Sequence, residues 1–94
     1  MRYEWDPRKA AANLAKHGVP FTAAEDFDWD QALVRRDDRR DYGEERWIAL
    51  APIGQRLHVM VFTLRGAIVR IISLRKANRR ECDAWQKARP PRGV

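Results

Sequence analysis

With 94 residues, 45% of them hydrophobic, and four Trp, two Tyr and three Phe, the chain belongs among folded proteins of one small domain (1–94) rather than disordered basic tails. The lone cysteine, Cys82, excludes an internal disulfide and points to a reducing cytoplasm, and neither an apolar run near ~18 residues nor a leader directs the chain to a membrane or to secretion. The net charge is +6 with Arg far outnumbering Lys; the planar Arg fork matches phosphate, so nucleic acid is the favoured partner, and an acidic protein would be drawn by the same field.

Arg2 to Trp5 alternates and reads as a short strand, with Tyr3 and Trp5 on one face and Arg2 and Glu4 on the other. Asp6-Pro7 then starts a helix. Asp6 can cap free N–H groups, and Pro7 takes the first helical position, where its missing N–H costs nothing. This helix runs from Pro7 to His17, with Ala10, Ala11, Leu14 and Ala15 as its apolar side and Gly18 as its stop. Thr22-Ala23-Ala24-Glu25 has the form of a capping box and predicts a second, short helix from Ala23 to about Phe27. Ala32, Leu33 and Val34 form a strand candidate. Asp37 to Arg46, DDRRDYGEER, is punctuated by Gly43 and predicts a solvated loop whose opposite charges pair locally.

Three strands follow, Trp47 to Ile53, Leu57 to Leu64 and Ala67 to Leu74. Their turns are marked by Pro52 and Gly54 to Arg56, and by Arg65-Gly66. A two-residue loop at Arg65-Gly66 sets Thr63 opposite Ile68, Val61 opposite Arg70 and Val59 opposite Ile72. Met60, Phe62, Leu64, Val69 and Ile71 then share the purer apolar face, where the helices pack, while Thr63 and Arg70 look out from the open face. The last helix runs from about Lys76 to Ala88, packed through Ala77, Ala84, Trp85 and Ala88. Pro90-Pro91 ends it before a short basic tail. The predicted fold class is α+β, an antiparallel sheet with two N-terminal helices on one face and a C-terminal helix.

The segment from Val69 to Glu81, VRIISLRKANRRE, joins an apolar strand to five cations in eleven positions: Arg70, Arg75, Lys76, Arg79 and Arg80. Folding alone does not require them. No C-x-x-C, H-E-x-x-H, Gly-rich phosphate loop or G-x-S-x-G elbow is present, so neither a metal nor a cofactor is expected. What remains is a sheet carrying arginines, with His17, Glu44, His58 and Lys16 as candidate proton carriers. That set suits cleavage of RNA, whose own 2′-hydroxyl is the nucleophile. The protein then need only position the chain, move protons and stabilise charge.

The order EWD, Lys9, Asn13, KHGV with Phe21, DDRRDYGEERW, Thr63 with Arg65-Gly66, and RIISLRKANRRE resembles the BrnT family. These are the toxins of BrnT–BrnA type II toxin–antitoxin modules, and the likeness spans Tyr3 to about Trp85. It implies a RelE-like fold, ribonuclease activity that inhibits translation and stops bacterial growth, and neutralisation by a BrnA-like antitoxin. The antitoxin would carry the DNA-binding domain, reach operator DNA only in the complex, and assemble with the toxin as a hetero-tetramer.

The candidate catalytic residues are His17, Glu44, Arg46, Arg70 and Arg75. Arg46, Arg70 and Arg75 could converge on one phosphate from neighbouring strands, Arg70 and Arg75 stabilising the transition state and Arg46 positioning the chain. Each could equally be an ordinary surface ion pair with the Asp37–Glu45 segment. His17 has the pKa for proton transfer near neutrality, but a histidine closing the first helix would look the same. Glu44 is the alternative base. Lys16, Arg65, Lys76, Arg79 and Arg80 are the candidate RNA-binding cations. His58 reads as a sheet-surface residue, Trp5 and Trp85 as core rather than base-stacking platforms, and Cys82 as chemically idle. Two other functions fit the charge: a non-catalytic nucleic-acid-binding module, and an interaction protein that holds a partner by its sheet edge and basic surface.

Overall fold

The computed structural model describes residues 1–88; the predicted helix stop at Pro90-Pro91 and the basic tail lie outside them. In chain order the elements are β1 (Arg2–Glu4), α1 (Pro7–His17), two 3₁₀ segments (Phe21–Asp26 and Trp29–Gln31), β2 (Leu33–Arg36), β3 (Trp47–Ile53), β4 (Arg56–Arg65), β5 (Ile68–Lys76) and α2 (Arg79–Ala88). α1 has the predicted bounds. Arg8 N–H donates to the Asp6 carboxylate at 2.9 Å, Pro7 opens the helix, and left-handed Gly18 closes it with its N–H on Leu14 O.

The five strands form one sheet in the order β1-β5-β4-β3-β2. It is mixed, which corrects the predicted antiparallel sheet: β1 runs parallel to β5, pairing Arg2, Tyr3 and Glu4 with Ile68, Val69 and Arg70. That pair joins the first strand to one far along the chain, and local sequence carries no signal for it. The other pairs are antiparallel. The β4–β5 turn is Gly66-Ala67 rather than Arg65-Gly66, with Gly66 at φ 61°. Moving the turn by one residue moves every partner by two, so Thr63 meets Arg70 but keeps its face.

Further along β5 the register shifts, with Phe62 opposite Ile71 and Val61 opposite Ser73, so that Ile72 is the extra residue of a bulge. Strict alternation would place Leu74 on the face of Arg70, and Arg75 on the opposite one. The bulge exchanges them: Leu74 joins Val69 and Ile71 in the core, and Arg75 takes the face of Arg70.

Each sheet face has its own apolar cluster. On the first, Met60, Phe62, Val69, Ile71 and Leu74 pack under Val19, Phe21, Ala24 and Phe27. The predicted helix over Ala23 to Phe27 is the 3₁₀ segment Phe21–Asp26, whose three-residue repeat aligns Phe21 and Ala24 with Phe27 at its end; the Thr22–Glu25 capping box is not made. α1 also turns differently from its predicted apolar side. Asn13 is its buried residue, Ala10 and His17 are half-buried beside it, and Ala11, Leu14 and Ala15 face solvent. Burying Asn13 is favourable because all its amide groups find partners, as described below.

On the second face, Ile48, Leu50, Leu57 and Val59 pack with Ala77 and Trp85, flanked by Leu33, Val61 and Cys82. α2 starts at Arg79, three residues later than predicted, because Arg75 and Lys76 still pair with Val59 and His58, and Ala77 N–H with Leu57 O. Its inward side is Cys82 and Trp85, whose indole N–H donates to Gln31 O at 2.9 Å; Ala84 and Ala88 are exposed. His58 is buried rather than on the surface, its Nδ1 2.8 Å from Arg56 O and its pKa lowered, chiefly by burial.

Candidate active site

α2 covers only part of the second face, and the polar groups gather on the rest. Trp47 pairs with Phe62, so the next step of that ladder sets Arg46 beside Thr63, which itself faces Arg70. Arg46, Thr63 and Arg70 thus form a row across β3, β4 and β5. Glu4 extends it on β1, 3.4 Å from Arg70 and 3.9 Å from Arg65. Thr63 is buried, with its hydroxyl on Glu45 O at 2.7 Å, which ties the Asp37–Arg46 loop to the sheet.

That loop is organised about a buried carboxylate. Asp37 accepts two hydrogen bonds of 2.8 Å from the Arg39 guanidinium and one of 3.2 Å from Tyr42 Oη. The Arg39 bonds hold the Asp37 carboxyl well below the usual carboxylate range, and raise Arg39 in turn. Arg46 lies over the Tyr42 ring at 4.0 Å, with Arg40 at 5.0 Å from the same ring. The Nε of Arg46 is buried without a hydrogen bond, since the Glu44 carboxylate 3.8 Å away is too distant for one. Glu44 and Arg46 share a cleft of about 410 Å³ inside this loop.

Arg75 forms a second centre, four to five residues along β5 from Arg70, or roughly 13–16 Å at strand rise. Its guanidinium is bidentate on Glu81, at 2.8 and 2.7 Å. Glu81 also accepts from Asn78 N–H at 2.9 Å while its own N–H donates to Asn78 Oδ1 at 2.8 Å, a capping box at the start of α2. The Arg75 bonds lower the Glu81 pKa and raise that of Arg75; Arg39 opposes the charge on Arg75, and Arg35 favours the charge on Glu81.

His17, at the end of α1, feels the charge of this centre. Its pKa is lowered, first by burial and then by the charges of Lys16 and Arg75. With Lys9, Ala12, Asn13 and Lys16 it lines a cleft of about 280 Å³ against Ile72 and Ser73, along the stretch of β5 that β1 leaves unpaired. Asn13 closes the floor. Its Nδ2 donates to Leu74 O at 2.7 Å and to Val19 O at 3.0 Å, and its Oδ1 accepts from Leu74 N–H at 3.1 Å.

The three arginines do not lie together: Arg46 and Arg70 flank Thr63 from either side of β4, and Arg75 lies further along β5, where its charge acts on His17. Arg70 and Arg75 take their carboxylates from β1 and α2, not from the Asp37–Glu45 segment; only Arg46 pairs within it. Lys16 lies in the His17 cleft and Arg65 beside Glu4. Lys76 ends β5, exposed, and Arg79 and Arg80 are exposed in the first turn of α2. Cations there oppose the helix dipole, so they do not serve the helix.

Sequence reasoning missed Asp37, Arg39 and Tyr42 as organisers, and the floor role of Asn13. One Asp among several in a charged run does not stand out, and a mid-helix Asn is legible only once its neighbour is a strand edge. Among the described residues no group of three or more His, Cys, Asp or Glu could hold a metal, and no helix is long and apolar enough to cross a membrane.

A family model described as the ribonuclease toxin, BrnT, of type II toxin–antitoxin systems matches residues 5–81. No curated protein matches the chain.

Proposed function

The chain belongs to the BrnT family of ribonuclease toxins of type II toxin–antitoxin systems, and from that premise we propose that the cleft between α1 and β5 is where RNA is cut. The observation that carries this reading is His17. It is half-buried, its pKa is pushed below the ordinary value, and it stands within electrostatic reach of Arg75. At neutral pH such an imidazole is uncharged and can accept a proton.

In the proposed reaction His17 takes the proton of the 2′-hydroxyl, and the 2′-oxygen attacks the adjacent phosphorus. The P–O5′ bond breaks, and Lys16 supplies the proton that the departing 5′-oxygen needs. The products are a 2′,3′-cyclic phosphate and a 5′-hydroxyl. Arg75 faces the extra negative charge of the transition state, and Arg39 adds to the same field. Arg46 and Arg70 hold the chain further along the sheet, with Arg65, Lys76, Arg79 and Arg80 on its path. Glu44 belongs to the other cleft with Arg46, which favours His17 as the base.

No metal enters this scheme. The carboxylates of the face are engaged by arginine: Glu4 by Arg70, Asp37 by Arg39, Glu44 by Arg46 and Glu81 by Arg75. A type II toxin has an antitoxin protein as partner. Here the partner is a BrnA-like protein that carries the DNA-binding domain and forms a hetero-tetramer with a RelE-like toxin.

The test digests a labelled RNA in excess EDTA beside the same strand carrying one 2′-deoxy position at the cut. Full activity in EDTA, a cyclic phosphate product, no cutting at the deoxy site and loss of cleavage in His17→Gln are expected. Cutting that needs Mg²⁺ or ignores the missing 2′-hydroxyl would overturn the mechanism. Binding without any change in RNA length would leave a nucleic-acid-binding module.

A further inference from the structure

β1 pairs with β5 only from Ile68 to Arg70. Beyond that point the outer edge of β5 has no strand beside it among the described residues, and Asn13 takes the place of one at Leu74: one amide accepts from Leu74 N–H and donates to Leu74 O. The same Nδ2 donates to Val19 O, just past the end of α1. Three backbone groups, two on β5 and one on the chain leaving α1, are thus gathered by one side chain that is 6% exposed.

His17 lies one helical turn after Asn13 on the same side of α1, and Arg75 is the residue after Leu74. We infer that Asn13 is the positioning residue of the cleavage site, fixing the distance between His17 and Arg75 by locking the last turn of α1 to the edge of β5. The inference rests on the reading of the α1–β5 cleft given above. Apolar packing does not duplicate the lock, because Ala11, Leu14 and Ala15 face solvent and Ala10 is the small apolar contact that α1 makes. No common side chain other than Asn offers an acceptor and two donors at this length; Asp keeps the acceptor and loses both donors, and Gln adds a methylene.

The polar groups around His17 are Lys16 and Lys9 on its own helix and Ser73 on β5, with the charge of Arg75 acting from the end of that strand. Releasing α1 from β5 hydrates the imidazole and moves it from Arg75. Both changes raise its pKa toward the ordinary value near ~6.5.

The test compares Asn13→Ala and Asn13→Asp with Phe27→Leu, a core change on the same sheet face that keeps the Asn13 amide and its three bonds, at temperatures where all are folded. His17 is titrated by NMR and RNA cleavage is measured across pH. Both Asn13 variants should show His17 titrating at higher pH. The acid limb of the rate profile should move up with it, with kcat down at least tenfold and KM within twofold of wild type. Phe27→Leu should show none of these. A wild-type His17 titration in Asn13→Ala, or equal losses in Asn13→Ala and Phe27→Leu, would overturn the inference and leave Asn13 a structural residue. If neither Asn13 variant folds, Ala10→Val, which crowds the small contact of α1 with the core while keeping the amide, must reproduce the His17 shift. Because the NMR titration reads the placement of His17 without any cleavage, failure of the ribonuclease reading is distinguishable from failure of this one.

Discussion

Single side chains separate into those that anchor the face and those that are displayed on it. Asp37 is an anchor: its carboxylate is buried and held by Arg39 and Tyr42. Its folded pKa lies below the unfolded value of ~3.9, so its contribution to stability is complete above about pH 5 and is lost as the pH falls toward the folded pKa. Arg39 is 65% exposed, so water screens much of the attraction. Asp37→Asn should therefore cost about 2 kcal/mol at pH 7, less than a fully buried pair. Urea titrations at pH 7 and pH 2.5 check this; a gap between variant and wild type that fails to shrink in acid would count against it. Arg75 and Arg70 are displayed. Arg75→Ala should lose about 10²–10³ in cleavage rate, and Arg70→Ala should weaken RNA binding, each at a cost of about 0–1 kcal/mol in stability. Circular dichroism beside the cleavage assay separates the two effects, and an unfolded variant would make that arginine structural.

Among the elements, the junction from β5 to α2 does the most with the fewest residues. Asn78 and Glu81 cap α2 reciprocally, and Glu81 also receives Arg75, so the helix start and the strand end share one carboxylate. Glu81→Ala removes the Asn78 N–H half of the reciprocal cap together with the ion pair, leaving Asn78 Oδ1 on the backbone N–H, and should destabilise the protein by about 1–2 kcal/mol. Glu81→Gln keeps an acceptor for Asn78 N–H and should cost about half as much. Denaturant unfolding of the two variants checks this; equal losses would mean that the charge, not the cap, holds α2 in place. The junction also bears on the proposed function, because the helix that covers part of the face through Trp85 shares its first-turn carboxylate with the arginine proposed to face the transition state.

At the level of the whole molecule, the sheet divides labour between its faces. One buries Met60, Phe62 and Leu74 under α1 and the 3₁₀ segments, and the other presents Arg46, Arg70 and Arg75 beside a partial cover. A type II toxin is neutralised by a protein, and an antitoxin segment that covers the arginine face with acidic contacts is the arrangement this charge distribution favours. Expression alone should arrest bacterial growth, and coexpression with a small antitoxin encoded immediately downstream should restore it. Undiminished growth on confirmed soluble expression would sink this expectation.

Some of this was legible in the residues and some was not. Local chemistry was enough for α1, because Asp6-Pro7 and Gly18 specify a helix start and stop within a few bonds, and for β3, whose bounds need only apolar residues between turn signals. The faces of β4 were legible too, since a hairpin alternates whatever its partner. The parallel pairing of β1, the rotation of α1 onto Asn13 and the start of α2 at Arg79 each depended on a partner far away in sequence. The bulge at Ile72 mattered most. Alternation read from the sequence puts Arg70 and Arg75 on opposite faces, and one unpaired residue brings them to the same one. An extra residue in a ladder is visible only when both strands are paired, so the sequence by itself could supply the arginines, and only the tertiary structure could decide which face they serve.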